Sequence, residues 1–173
     1  MNKKINLNYK ILSFIFFMLL FIDLASKQMA AQFLQEPLLF FHGHHWKAGL
    51  KLMFNTQAFS VSPIYLLLLT FLTALVMFKL QPILKKDWLA ITFFTLLACV
   101  GVWGNCLDFF IRGNVADFMM IQIDNGIIQH LFIFNMADIY ILVGVSMVGG
   151  LNVIRWTRFI RFARKTSPFR AGM

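Results

Sequence analysis

Four apolar runs, each close to the length that crosses a bilayer, constrain this chain more than any other feature. They lie at about 11–31, 64–80, 88–107 and 139–154. A helix needs roughly 20 mostly apolar residues to cross about 30 Å of hydrocarbon, and within lipid only helices and closed barrels satisfy every backbone polar group. Pro63 suits the first turn of the second helix, where its missing N–H costs nothing. The expected fold is an all-α membrane protein, four transmembrane helices with a small extracytoplasmic β-sheet or loop region, in one integral membrane domain over 1–173. With 60% hydrophobic residues and a mean hydropathy of +0.73, the chain is too apolar for a soluble domain of this size.

The basic excess of +9 suggests nucleic acid at first sight, but 13% charged residues leave no basic stripe interleaved with stacking aromatics. Topology explains the charge instead. Lys3, Lys4 and Lys10 precede the first run, Lys79, Lys85 and Lys86 lie between the second and third, and Arg155, Arg158, Arg161, Arg164, Lys165 and Arg170 follow the fourth. Those twelve of sixteen basic residues define one side, which the positive-inside rule makes cytoplasmic, with both termini. Acids show the reverse bias: Glu36, Asp108, Asp117, Asp124 and Asp138 belong to the outer segments. The first run reads as a retained helix, because "MAAQ" is a poor cleavage context for a signal peptide.

The outer segments carry strand signals. "GLKLMFNTQAFSVS" (49–62) partly alternates, and Asn125-Gly126 separates two β-prone runs, a hairpin cue. "HGHH" at 42–45 offers three imidazoles, but no acid or Cys stands near at ligand spacing, so a wet interfacial loop is expected rather than a metal site. No cofactor is implied. Cys99 and Cys106 lie seven apart on one helix, roughly 10 Å along its axis, too far for a mutual disulfide. "LLACVG" at 96–101 has the form of a lipidation box, but it lies inside the third apolar run and is set aside.

Polar chemistry concentrates at few places. Asp23 and Lys27 stand four apart on the first helix, acid before base, and share a face. They read either as a functional intramembrane pair or as a snorkelling Lys neutralising a structural Asp. Asp138, just before "IYILVG", suits a helix N-cap. Asp117 follows "GN" in an expected strand or turn, where apolar surroundings would raise its pKa. Two carboxylates brought together share a proton, one acting as base on water and the other as acid. No Ser-His-Asp, HExxH or Cys-His pattern competes, yet twenty-one residues separate the two acids and spacing alone does not show that they meet.

At these residues the chain resembles a known family. "DLASK" (23–27), Asn55 opening "NTQAFS", "GVWGNCLD" (101–108), "RGNVADF" (112–118) and "FNMAD" (134–138) are similar, in order and over nearly the whole chain, to the motifs of bacterial lipoprotein signal peptidases. The resemblance implies an inner-membrane aspartyl endopeptidase that cuts diacylglyceryl-modified prolipoproteins just before the lipidated Cys. It implies Asp117 and Asp138 as the catalytic pair, and Asp23, Lys27, Asn55, Asn105, Asp108 and Asn135 as supporting or substrate-binding residues. Gly101 and Gly104 would let backbones pack closely.

Two departures bear on substrate and inhibitor. Where the family usually has Arg after "GNxxD", Phe109 stands here, and "NTQAF" puts Gln57 where a glycine is usual, with one residue fewer. Weaker binding of globomycin-type cyclic peptide inhibitors is expected, unless Arg112 reaches the same acceptor. The partners this resemblance implies are prolipoproteins and membrane lipids, and no nucleic acid is expected. Two other classes stay open on residues alone: a family-derived protein that binds lipidated substrates without cutting them, and a small proton-coupled carrier.

Overall fold

A computed structural model describes residues 3–59, 62–84, 88–124, 126 and 128–166. Four helices and four strands alternate in blocks. They are α1 (Lys3–Phe33), β1 (Leu38–His42), β2 (Trp46–Asn55), α2 (Pro63–Leu84), α3 (Trp88–Arg112), β3 (Val115–Asp124), β4 (Gln129–Phe134) and α4 (Met136–Thr166). The strands join α1 to α2 and α3 to α4 at one end of the bundle, so the sheet caps that end, and the start of α1, the end of α2, the start of α3 and the end of α4 lie at the other.

Among the described residues, three helices are long and apolar enough to cross a membrane: Tyr9–Phe33, Trp88–Arg112 and Met136–Arg161. The protein is a multi-pass membrane protein. α2 is a helix of 22 residues, and its apolar stretch among the described residues is Pro63–Thr73. Pro63 is its first residue, as its geometry favours. The helices overrun the apolar runs. α1 starts eight residues before Ile11, and α4 continues twelve past Ile154. Hydropathy reports only the length that lipid contacts, while the backbone ladder continues into the polar interface as long as the residues there are good helix formers, as Arg and Lys are.

The packing is inverted relative to a soluble bundle. Large apolar side chains such as Phe14, Phe17, Phe21 and Leu142 point outward, while Asp23, Lys27 and Asn135 are fully buried. α3 is the central helix, with its most extensive contact against α4. That closeness depends on small residues. A Cβ at Gly101 would strike the carbonyl of Ala137, and one at Gly104 would strike the Asp23 carboxylate. Cys99 and Cys106 are both free.

The sheet is antiparallel throughout, in the order β1-β2-β3-β4. β2 ends at Asn55, short of the 49–62 strand signal; residues 56–58 turn away, with Asn55 Oδ1 accepting from the Gln57 backbone N–H at 3.0 Å, and residues 60 and 61 lie outside the described residues. β1 was not expected, since "LLFFH" has no alternation to reveal it; all five of its residues are exposed. His42 closes β1, and residues 43–45 form the turn to β2, with the Gly43 N–H donating to the Trp46 carbonyl at 2.8 Å. The β3–β4 hairpin is present in register Asp124↔Gln129, with Gly126 at φ 80° in the left-handed region that glycine favours. Asn125, the other half of that cue, lies outside the described residues, as do Lys85, Lys86, Asp87 and Arg170.

Candidate active site

Strand alternation puts Asp117, Met119, Ile121 and Ile123 on one face of β3. Register carries that face across the sheet, through Trp46, Ala48 and Leu50 of β2 and Phe132 and Phe134 of β4. Asp117 is therefore the polar end of an apolar sheet face. Asp117 itself is 4% exposed.

α4 begins immediately beyond β4. Asn135 is its N-cap, with Oδ1 accepting from the Asp138 N–H at 3.1 Å, and Asp138 answers with Oδ2 accepting from the Asn135 N–H at 3.0 Å. This is the reciprocal geometry of a capping box, built from Asn and Asp instead of Ser and Glu. It corrects the expectation that Asp138 is the N-cap: the cap is one helical turn earlier, and Asp138 is its partner inside the first turn, where a carboxylate also favours the positive end of the helix.

Asn135 joins the two acids. Its Nδ2 donates to Asp117 Oδ1 at 2.6 Å and to Asn105 Oδ1 at 3.1 Å. Asn105, on α3, donates its Nδ2 to Asp138 Oδ1 at 2.8 Å. Behind them Lys27 Nζ donates to Asn105 Oδ1 at 2.7 Å and to Asp23 Oδ2 at 2.8 Å. Lys27 and Asp23 are both 0% exposed, so the snorkelling reading of Lys27 fails: its ammonium points inward to an amide that orients Asp138. On the open side Asn55 Nδ2 lies 3.5 Å from Asp117 Oδ2, a long contact.

Seven of the eight sequence candidates thus form one connected network, and Asp108 reaches it through the backbone. Asp108 Oδ2 accepts from the Ala116 N–H at 2.8 Å, next to Asp117, while its Oδ1 pairs with Arg112 Nε at 2.9 Å. The matching contact on the other side is Asp23 Oδ1 accepting from the Ala137 N–H at 2.8 Å, next to Asp138. These two alanine N–H groups, and Gln28, whose Oε1 accepts from Arg112 Nη2 at 3.0 Å, were missed from sequence. Backbone donors leave no residue-type signal; the "AD" repeated in "VADF" and "NMAD" is the one trace. Phe109 stands edge-on to Phe59 with centroids 5.4 Å apart. Among the described residues no group of three or more His, Cys, Asp or Glu is placed to hold a metal ion.

Burial pushes the Asp117 carboxyl up to about 6, and the Asp138 carboxylate nearby adds to the rise, against the lowering by the Asn135 and Asn55 amides. A carboxyl titrating near neutrality can hold or give up a proton at ordinary pH.

Fold and site together define a multi-pass membrane protein with two aspartates joined by one buried amide at the end of its bundle. The signal peptidase II family model matches residues 15–153, and the chain belongs to that family; it is a peptidase. Lipoprotein signal peptidases of Buchnera aphidicola subsp. Acyrthosiphon pisum, strains 5A and APS, are each 28% identical over 143 residues, covering 78% of this chain and 86% of theirs. Two solved bacterial membrane enzymes, determined by the in meso method, share the fold. One has TM-score 0.60 at 19% identity, over 86% of this chain and 90% of that one. The other has TM-score 0.56 at 20% identity, over 80% and 90%.

Proposed function

We propose that this peptidase removes signal peptides from diacylglyceryl-modified prolipoproteins, using Asp117 and Asp138 as a pair that activates water. The observation that carries the reading is Asn135, which donates to Asp117 while its cap geometry fixes Asp138. Asp138 accepts from two N–H donors, Asn105 Nδ2 and the Asn135 backbone, which suits the ionised member. Asp117, with its raised pKa, suits the protonated one. The Asp138 carboxylate takes a proton from water as its oxygen attacks the scissile carbonyl carbon. Asp117 gives its proton to the departing nitrogen as the C–N bond breaks, and the proton on Asp138 returns to Asp117 for the next turnover.

Asn55, Asn105 and Asn135 orient the acids and the peptide. The Asp23–Lys27 and Asp108–Arg112 pairs hold the helix start and strand start that carry them. The apolar face running from Asp117 toward Ile123 faces the lipid-bearing substrate. In this reading α2 is the fourth span of a single integral domain in the inner membrane, with both termini cytoplasmic and the sheet outside, in keeping with the twelve basic residues on the other side.

The test is cleavage of a purified diacylglyceryl prolipoprotein. Asp117→Asn and Asp138→Asn are each expected to lose turnover by at least about a hundredfold, the lower range for a missing acid or base, with insertion and folding retained. Near-normal turnover in either variant overturns the assignment. A wild type that binds this substrate without cutting it favours the binding-protein reading.

A further inference from the structure

Away from the aspartates a cavity of about 310 Å³ is sunk into the membrane-spanning part of the bundle. α3 packs against both α1 and α2, while among the described residues α1 and α2 hardly touch, which leaves a slot with α3 as its floor. Thr92, Leu96 and Cys99 form the floor, Leu12 and Phe16 of α1 one wall and Phe71 of α2 the other. Toward the sheet the slot is closed. There Trp103 Nε1 donates to Thr70 Oγ1 at 3.0 Å and its ring stands edge-on to Phe16, so the slot does not lead to Asn105 or the two acids.

At the opposite end Tyr9 and Trp88 meet edge to face, centroids 5.4 Å apart, an aromatic pair of the kind found at headgroup level. From Trp88 to Trp103 α3 rises about 22 Å, more than the roughly 15 Å of one leaflet's hydrocarbon. The slot therefore has the reach of an extended acyl chain entering from the leaflet at the end of the bundle away from the sheet.

Two observations narrow the occupant. Thr92 Oγ1 is buried in this floor and has no hydrogen-bond partner among the described residues; it lies one turn, about 6 Å, inward from Trp88. An unpaired hydroxyl in apolar surroundings is costly, and the ester carbonyl of a glycerophospholipid sits at this depth as an acceptor. On α1 the exposed Lys10 follows Tyr9, which lines the slot at this end, and a cation there complements an anionic headgroup.

We propose that the slot binds one acyl chain of an anionic glycerophospholipid, whose ester carbonyl accepts from Thr92 Oγ1. The chain fills the gap between α1 and α2 and steadies α1, the helix that carries Asp23 and Lys27. The inference is independent of the cleavage mechanism, since its readout is lipid contact.

The experiment places the full chain in nanodiscs containing phosphatidylglycerol with a photoactivatable diazirine in one acyl chain, and in parallel the same probe on phosphatidylcholine. Irradiation and peptide mapping are expected to label the α3 segment 92–99 from phosphatidylglycerol in preference. Leu96→Trp or Cys99→Phe, which fill the slot, should cut that label by about tenfold, the loss expected for roughly 1.4 kcal/mol. Thr92→Val, which leaves the volume unchanged, should cut it by about threefold, the scale of one intramembrane hydrogen bond. Label on Leu142 and Val145, which face lipid on α4, should persist in all three variants. Equal α3 labelling from the two headgroups, or α3 label undiminished in both plugged variants, overturns the proposal.

Discussion

Replacing Lys27 with Met tests whether a buried charge pair organises the site. The ammonium is 0% exposed and bonds Asp23 and Asn105 at 2.8 and 2.7 Å. Met matches its length but removes the charge, leaving the Asp23 carboxylate buried against the Ala137 N–H without its counter-ion. Breaking a buried pair in this way costs about 3–5 kcal/mol. At about 2–4 °C per kcal/mol for a chain of this size, Tm should fall by about 6–20 °C. Asp23→Leu combined with Lys27→Met removes both charges; what remains unpaired is the Ala137 N–H and part of the Asn105 acceptor, each about 1–3 kcal/mol. The double variant should thus be more stable than the sum of the two single losses by at least about 2 kcal/mol. Thermal unfolding of purified wild type, both single variants and the double variant in one detergent gives the cycle, with cleavage measured on the same samples. A Tm for Lys27→Met within about 2 °C of wild type would falsify the claim that this pair is a buried ionic one. Additive losses would show that the two residues are not coupled.

Three further predictions concern proton, inhibitor and topology. Because Asp117 is raised to about 6 by burial and Asp138, kcat/KM should fall as pH rises through that value and Asp117 loses the proton it donates; a profile flat between about pH 5 and 8 refutes the assignment. The same shift means that the folded state binds the proton more tightly than the unfolded chain, so stability should decline as pH rises from the unfolded carboxyl value toward 6, a slope that Asp117→Asn removes. Phe109→Arg should raise globomycin sensitivity by about tenfold or more, the worth of a charge-assisted hydrogen bond of about 1.5–3 kcal/mol. Arg112 is a poor substitute, since Asp108 and Gln28 already engage its guanidinium; ordinary wild-type sensitivity that disappears in Arg112→Ala refutes this account. Membrane-impermeant thiol labelling in cells, in a background lacking Cys99 and Cys106, should reach Gln57→Cys from outside and Lys85→Cys only after the membrane is opened. The reverse pattern refutes the proposed orientation.

The helices were legible because lipid imposes a one-dimensional rule, a sustained apolar run, that Phe, Leu and Ile satisfy wherever they point. Their ends were not, because Lys3 and Arg161 extend a helix without adding hydropathy. The hairpin at Gly126 was legible from its backbone demand for positive φ. β1 was not, since an edge strand exposed along all five residues has no buried face to write alternation into its sequence. The acids and amides of the site were legible as residue types, but their roles were not. Nothing in "FNMAD" distinguishes an N-cap from the third residue of a capping box, and that difference is what turns Asn135 into the bridge between Asp138 and Asp117.

The site also has a repeated logic. Each proposed catalytic aspartate follows an alanine, and each of those alanine N–H groups donates to a second aspartate on a different element: Ala116 to Asp108, Ala137 to Asp23. Each second aspartate is paired with a cation four residues later on its own helix, Arg112 and Lys27. Both alanines are 0% exposed, so a larger side chain at either position would have to displace packed neighbours. The arrangement fixes the backbone one residue before each acid, while the carboxylates themselves meet Asn side chains and, at Asp138, the Asn135 backbone N–H as well. Buried ion pairs are poor stabilisers compared with apolar packing, and a fully buried pair and, beside it, one whose Arg112 is 20% exposed are not explained by stability. In the proposed mechanism they serve to keep Asp117 and Asp138 at a fixed separation, because two carboxylates share a proton only at close range, and that mechanism requires the backbones of α4 and β3 to stay in place through each turnover.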